Sequence, residues 1–175
     1  MATKKSVNIG NIESSPVSIL NNKNARKKIL LDQVACATTN VDNADDLILF
    51  GPIPSNAIIT SIKLFNADLD SHATPTLACD VGLYYSGIAN TVGKVSGDVI
   101  DADCFGTAIT TLQAANVLGV EVRFEAGDIV DIVKEAWEVG GLTADCGGSV
   151  YIGLDLTTAA ATAAAGDIVL VVEYI

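Results

Sequence analysis

Residues 47–65, LILFGPIPSNAIITSIKLF, restrict the possible folds more than any other part of the chain. Pro52 and Pro54 fix φ, lack an N–H and push the residues before them towards extended geometry, so no helix runs through the middle. The flanking runs, Leu47–Phe50 and Ala57–Phe65, are rich in Ile, Leu and Phe and read as strands, separated by a corner at Gly51, Pro52, Pro54, Ser55 and Asn56. In the second run Ile58, Thr60, Ile62 and Leu64 alternate with Ile59, Ser61, Lys63 and Phe65, which assigns the two sets to opposite faces. Strand, corner, strand describes a sheet that folds over on itself.

The same pattern recurs along the chain. Lys28–Thr38 is the first strand, with Ile29, Leu31, Gln33 and Ala35 on one face. In Thr76–Ser86, Leu77, Cys79, Val81, Leu83 and Tyr85 share a side, and Asp98–Phe105 is a short acidic strand. Residues 107–118 fit a short helix or a loop, and Gly119–Phe124 a strand with Val120 and Val122 facing the core. GDVI at 97–100 and AGDIV at 126–130 and 165–169 are repeated turn-into-strand signals: glycine permits the turn, aspartate bonds nearby backbone, and β-branched residues start the strand. Residues 129–137 also carry a helical stripe with Asp128 as N-cap. The reading adopted is a strand to Val133, then a turn of helix through Glu138 ended by Gly140 and Gly141. Ser149–Leu156 alternates cleanly. TTAAATAAAG reads as a hairpin connection, and Ile168–Ile175, apolar on both sides until Glu173, as a central strand buried on both faces.

Eight or nine strands with proline and glycine punctuation and little helix predict an all-β fold. A jelly-roll-like β-sandwich of about eight strands stands ahead of an immunoglobulin-like one. The domain reading is an extended basic N-terminal arm, residues 1–28, and a β-sandwich body, residues 29–175. At 175 residues the chain buries enough surface to need no metal or disulfide staple. The four cysteines, Cys36, Cys79, Cys104 and Cys146, lack zinc-site spacing and read as reduced core thiols.

Charge divides the chain in the same place. Residues 1–28 carry six basic side chains and one acidic one, whereas residues 29–175 carry four basic and twenty acidic, for a net charge of −11 overall. An acidic body argues against direct nucleic-acid binding. The basic arm reads either as an ordinary solvated terminus or as a contact for an acidic surface. No apolar run approaches the ~20 residues of a membrane helix, and the N-terminus lacks the apolar segment of a secretory signal.

No catalytic constellation assembles. His72 is the single histidine and lies in a loop beside Ser71, with no GxSxG sequence anywhere. The segment from Gly87 to Val95 misses a phosphate loop twice, in its spacing and in the valine after Lys94. Asp68, Asp70 and His72, the group Asp98, Asp101 and Asp103, and the group Asp42, Asp45 and Asp46 are oxygen-rich but lack the spacing of a calcium loop. Aromatic content is 5%, and Tyr84 and Tyr85 are adjacent on a strand so that one faces out, which disfavours a stacking platform for glycans or single-stranded nucleic acid. The expectation is a non-enzymatic protein with no cofactor and no metal.

Three segments carry a resemblance: the corner GPIPSNAIITSIKL (51–64), LACDVGLYYSG (77–87), and the closing stretch AWEVGGLTADCGGSVYIGLDLTTAAATAAAGDIVLVVEYI (136–175). With the basic arm, they resemble the small decoration or cement proteins of tailed bacteriophage capsids. The resemblance implies a virion protein on the outer surface of the capsid, a homotrimer whose partner is the major capsid protein. It implies that the arm crosses neighbouring coat subunits. Ile9, Ile12, Val17, Ile19 and Leu20 would then be apolar anchors, and Lys23, Arg26, Lys27 and Lys28 would meet acidic coat surface. Other virion parts (head fibre, tail or connector accessory) and a ligand-binding adhesin-type sandwich are the alternatives.

Overall fold

The structure, a computed structural model, describes residues 27–87 and 93–175. They form eight strands: β1 (Lys28–Cys36), β2 (Leu47–Pro54), β3 (Ile59–Asn66), β4 (Ala78–Tyr85), β5 (Val99–Ile109), β6 (Asn116–Glu121), β7 (Ser149–Thr158) and β8 (Gly166–Tyr174). One four-stranded sheet has the order β1-β8-β3-β6 and the other β2-β7-β4-β5. All pairings are antiparallel. Consecutive strands cross from sheet to sheet at every step except β4 to β5, which is the winding of a jelly roll.

Alternation in the sequence builds the core. Val150, Ile152, Leu154 and Leu156 of β7 and Leu77, Cys79, Val81 and Leu83 around β4 point inward and are fully buried. Facing them from the other sheet are Ile62, Leu64, Ile168, Leu170 and Val172. Val122 is buried at the end of β6, while Val120, on the inward side of an edge strand, keeps part of its surface in solvent. Cys36, Cys79 and Cys146 are buried and Cys104 half-buried, and no disulfide joins them. Burial pushes the Cys79 thiol up to about 12.

Several elements differ from their sequence reading, each for a local reason. The corner sits later than expected, because β2 runs on through Pro54 and the chain turns at residues 55–58. Prolines are tolerated there since β2 is an edge strand, and its register with β7 shifts between Phe50 and Ile53. The Gly51 N–H donates to Asp32 of β1 across 2.9 Å and ties the two sheet edges together. A second register shift, between Ile59 and Ser61, turns Ile59 inward with Ile62 and breaks the simple alternation of β3. β5 extends to Ile109, so residues 107–118 hold the end of β5, a 3₁₀ turn at Thr111–Gln113 and the start of β6. β8 is central, but buried on one face only: Val169, Val171 and Glu173 on the other are half-buried. The alanine-rich segment before it is no hairpin, since it carries the chain from β7 in one sheet to β8 in the other.

The expected strand to Val133 is absent. Ile129–Val133 is a 3₁₀ turn, followed by a short helix, α1 (Ala136–Val139), which Gly140 and Gly141 end. The Asp128 N–H donates to the Asp131 carboxylate (2.9 Å), and the Asp131 N–H to the Asp128 carbonyl (2.9 Å). This local closure competes successfully with strand pairing.

One carboxylate organises the far connections. Asp70 is 1% exposed and accepts N–H bonds from Thr76 (2.7 Å), Leu77 (3.1 Å), Ala161 (3.0 Å) and Thr162 (2.9 Å). Burial alone would raise its pKa, but these backbone donors outweigh it and hold the carboxyl well below the usual range. A group titrating lower in the folded than in the unfolded state stabilises above the unfolded value, about 3.9, and loses that contribution as pH falls towards the folded one. Asp70→Ala leaves four donors without this acceptor and is expected to cost about 3 kcal/mol, read as a lower urea midpoint at pH 7. The gap between variant and native chain should narrow as the pH falls below about 4.

Candidate interaction surface

The sequence groups that suggested chemistry do not converge. Asp70 is engaged with backbone, and Asp68 accepts the Asp70 N–H (3.0 Å). His72 lies in the exposed loop with Nδ1 3.0 Å from the Thr74 hydroxyl. Asp98 accepts the Val95 N–H, Asp101 the Asp103 N–H, and Asp46 the Asn43 N–H, each closing a turn. Among the described residues, no group of three or more His, Cys, Asp or Glu side chains is placed to hold a metal ion. Neither Tyr84 nor Tyr85 faces solvent. The Tyr84 ring lies over Gly153, where any side chain would collide with it, and its hydroxyl donates to Asp155 (3.1 Å).

Apolar side chains left in solvent are the distinctive feature of the surface, and they fall in bands. Ile29 and Leu31 project from β1 on the outer face of the β1-β8-β3-β6 sheet, Leu31 with 70% of its surface exposed. Half-buried Val171, Val169 and Phe65 continue that outer face. Phe65 reaches β6 by lying across Gly119, whose φ of +78° and lack of a side chain admit the ring. Val117 and Leu118 project from the start of β6. The last band is the segment after β6: Phe124, Ile129 (87% exposed), Val130, Ile132 and Val133 (71%).

That final band rests on a built support. Arg123 is fully buried, with Nε donating to the Ile59 carbonyl (3.1 Å) and Nη2 to the Asp131 carbonyl (2.9 Å). Its guanidinium carbon lies 4.8 Å from the ring centres of both Phe105 and Phe124. Burial pulls its pKa down, while the Asp131 and Glu121 carboxylates oppose the shift. Glu121 in turn accepts the Ser61 hydroxyl and the Ile62 and Arg123 N–H groups. The apolar turn is thus fixed to the first residues of β3 through a buried cation.

Of the predicted arm contacts, Ile9, Ile12, Val17, Ile19, Leu20, Lys23 and Arg26 lie outside the described residues. Lys27 forms an ion pair with Glu173, and Lys28 opens β1 opposite Tyr174, so both are integrated with the sheet. The band at 124–133 was missed in the sequence because its residues were assigned to a strand and a helical stripe. A signal for it exists: Ile129-Val130 and Ile132-Val133 are adjacent apolar pairs around Asp131, and neighbours in sequence do not share one buried face in a regular element.

No protein-family profile matches the chain, and no curated protein matches it. Among solved structures, it is similar to a chain of the capsid of Ralstonia phage GP4, with a TM-score of 0.57 and 21% identity over 89% of this chain and 88% of that one. It is also similar to a chain of the cyanophage Pam1 capsid asymmetric unit, with a TM-score of 0.51 and 20% identity over 89% and 96%. At these identities the likeness is one of fold.

Arg123→Ala removes the support of the apolar turn. It is expected to destabilise the protein by about 3 kcal/mol, because two buried carbonyls and the Asp131 and Glu121 carboxylates lose their cation. Amide exchange at 129–133 should accelerate in the variant more than in β7, which measures whether the turn depends on Arg123.

Proposed function

We propose that this chain is a non-enzymatic structural protein of a phage virion, a decoration or cement protein that binds the outer surface of the capsid and stabilises the coat lattice. The observation that carries the reading is the likeness of fold, across nearly nine-tenths of this chain, to chains of two phage capsid structures. The bands of solvated apolar side chains support it, since isolated monomers seldom expose contiguous apolar surface without a partner. The partner is the major capsid protein.

In this reading the body rests on coat subunits as a homo-oligomer, and residues 1–26 reach across neighbours. Ile9, Ile12, Val17, Ile19 and Leu20 bury against the coat, and Lys23 and Arg26 face its acidic groups. Lys27 and Lys28 fix the base of the arm to the body. Contacts of modest strength repeated over a lattice hold by multivalency, so none need be tight. Because the arm is basic, its share of binding is screened as the Debye length falls from about 10 Å at 0.1 M salt to about 3 Å at 1 M.

Co-sedimentation with capsids stripped of accessory proteins tests this. The full-length protein is expected to bind saturably at a fixed ratio to coat protein, and a form lacking residues 1–26 to bind several-fold more weakly and with less salt dependence. No binding by either form overturns the proposal and points to a tail, a fibre or a ligand-binding role. Equal binding by both forms removes the arm from it.

A further inference from the structure

The base of the arm and the support of the apolar turn share one end of the sandwich. Lys28 pairs with Tyr174, and Tyr174 pairs with Ile59 at the start of β3. The Ile59 carbonyl accepts from Arg123 Nε, and Arg123 in turn donates to the Asp131 carbonyl. Just before Ile59, the Ala57 carbonyl accepts the Ala136 N–H (2.8 Å) and the Ser55 carbonyl the Trp137 N–H (3.1 Å). Lys28, Ala57 and Tyr174 line a single recess, so the arm base and that support are neighbours. Val117 and Leu118 stand at the other end, since Asn116 pairs with Asn66, which lies at the far end of β3 from Ile59, roughly 20 Å away.

The turn is also set before it meets a partner. The Ala126 N–H donates to the Phe105 carbonyl (3.1 Å) at its start, Arg123 bonds Asp131 within it, and Ala136 and Trp137 tie its end to the β2–β3 corner. A rigid apolar projection loses little conformational freedom on docking. Its rim is acidic. Glu125, Asp128 and Glu138 are exposed, and the single lysine of the segment, Lys134, is paired with Asp131 at 2.7 Å. Five of residues 124–138 are acidic, against fifteen of the other 132 in residues 29–175, so this rim exceeds the general acidity of the body. The other two bands lack such a rim: residues 107–120 include no charged side chain, and Ile29 has Lys28 beside it in sequence and the Lys27–Glu173 pair opposite.

From this arrangement we infer which way the body stands on the coat and what it stands on. The end that carries the 124–133 turn faces the shell, and the turn seats in an apolar recess of the major capsid protein whose rim is basic. This rests on the coat-binding reading and adds an orientation and a contact chemistry to it. The arm joins the body at that same end, so one approach to the shell engages both. The two contacts require opposite charges on the coat: Lys23 and Arg26 of the arm meet acidic groups, and Glu125, Asp128 and Glu138 meet basic ones. A pair of contacts of opposite sign fixes the rotation of the body on the shell as well as its tilt.

Co-sedimentation of full-length variants with stripped capsids tests it. Ile129→Asp and Val133→Asp change side chains that are largely exposed, and circular dichroism checks the fold; either suffices if the other fails that check. Each is expected to weaken binding by about tenfold, whereas Leu118→Asp at the far end leaves it unchanged. Glu125→Lys should weaken binding at about 0.1 M salt, with the loss shrinking at about 1 M as the rim is screened. No binding by the native chain overturns the coat-binding reading and this inference together. Native binding that survives both Ile129→Asp and Val133→Asp overturns the inference alone, as does an equal loss in Leu118→Asp. Unchanged or tighter binding by Glu125→Lys overturns the basic rim. Sedimentation equilibrium without capsids covers the remaining occupant: if the native chain is oligomeric and Ile129→Asp is not, the turn seats on a second copy and the inference fails.

Discussion

The pairing of β8 with both β1 and β3 is the interaction on which the rest of the structure depends. Gly166–Tyr174 supplies the centre of one sheet and bonds on its two sides to strands that lie more than a hundred residues earlier. Until the last strand is in place, β1 has no partner in its own sheet, and the base of the arm, Lys27, has no Glu173 to pair with. The chain must close its longest loops to gain its central hydrogen bonds, which marks it as a slow folder rich in non-local contacts. Asp70 serves the same closure at the other end, where its carboxylate gathers the segment before β4 and the crossover that delivers β8.

That central strand also explains why the surface is unusual. A strand of composition IVLVV suits burial on both faces, yet only Ile168, Leu170 and Val172 meet the core. Its outer residues belong to a sheet face that also carries Ile29, Leu31 and Phe65. The turn after β6 shows the same character, with its apolar side chains held outward by the buried Arg123. Surfaces of this kind match the proposed work of the molecule, in which the body is one tile among many and its outer faces become interior once the assembly forms.

Much of this was legible in the sequence. The proline corner, the clean alternation of Leu77–Tyr85 and Val150–Leu156 and the turn punctuation dictated two sheets and their inward residues, because period-two patterning states directly which side chains meet. The sheet order was not legible, since it is set by which edges meet after long crossovers. Nor were the register shifts at Phe50/Ile53 and Ile59/Ser61, which depend on tertiary ties such as Asp32 to Gly51. The segment 129–133 misled for a different reason. Its Gly-Asp-Ile-Val opening recurs at the true strand start 166–169 and, as Gly-Asp-Val-Ile, at 97–100; even the aspartate three residues on has a counterpart in Asp101, but only at 128–131 does it bond back to the first aspartate's N–H and close a local turn. Asp70 was noticed as a possible ligand beside Asp68 and His72; only the folded chain shows that its partners are backbone amides.

The central proposal, that this is a repeated component of a phage coat, is tested most directly by quantifying the chain against the major capsid protein in purified particles of a phage whose genome carries this sequence, by mass spectrometry with labelled peptide standards. A lattice protein is predicted to appear at a fixed ratio to coat protein, with hundreds of copies per particle, and to be lost when accessory proteins are stripped from the shell. Absence from the particle, or a handful of copies that stay with the tail after the head is disrupted, would contradict the account.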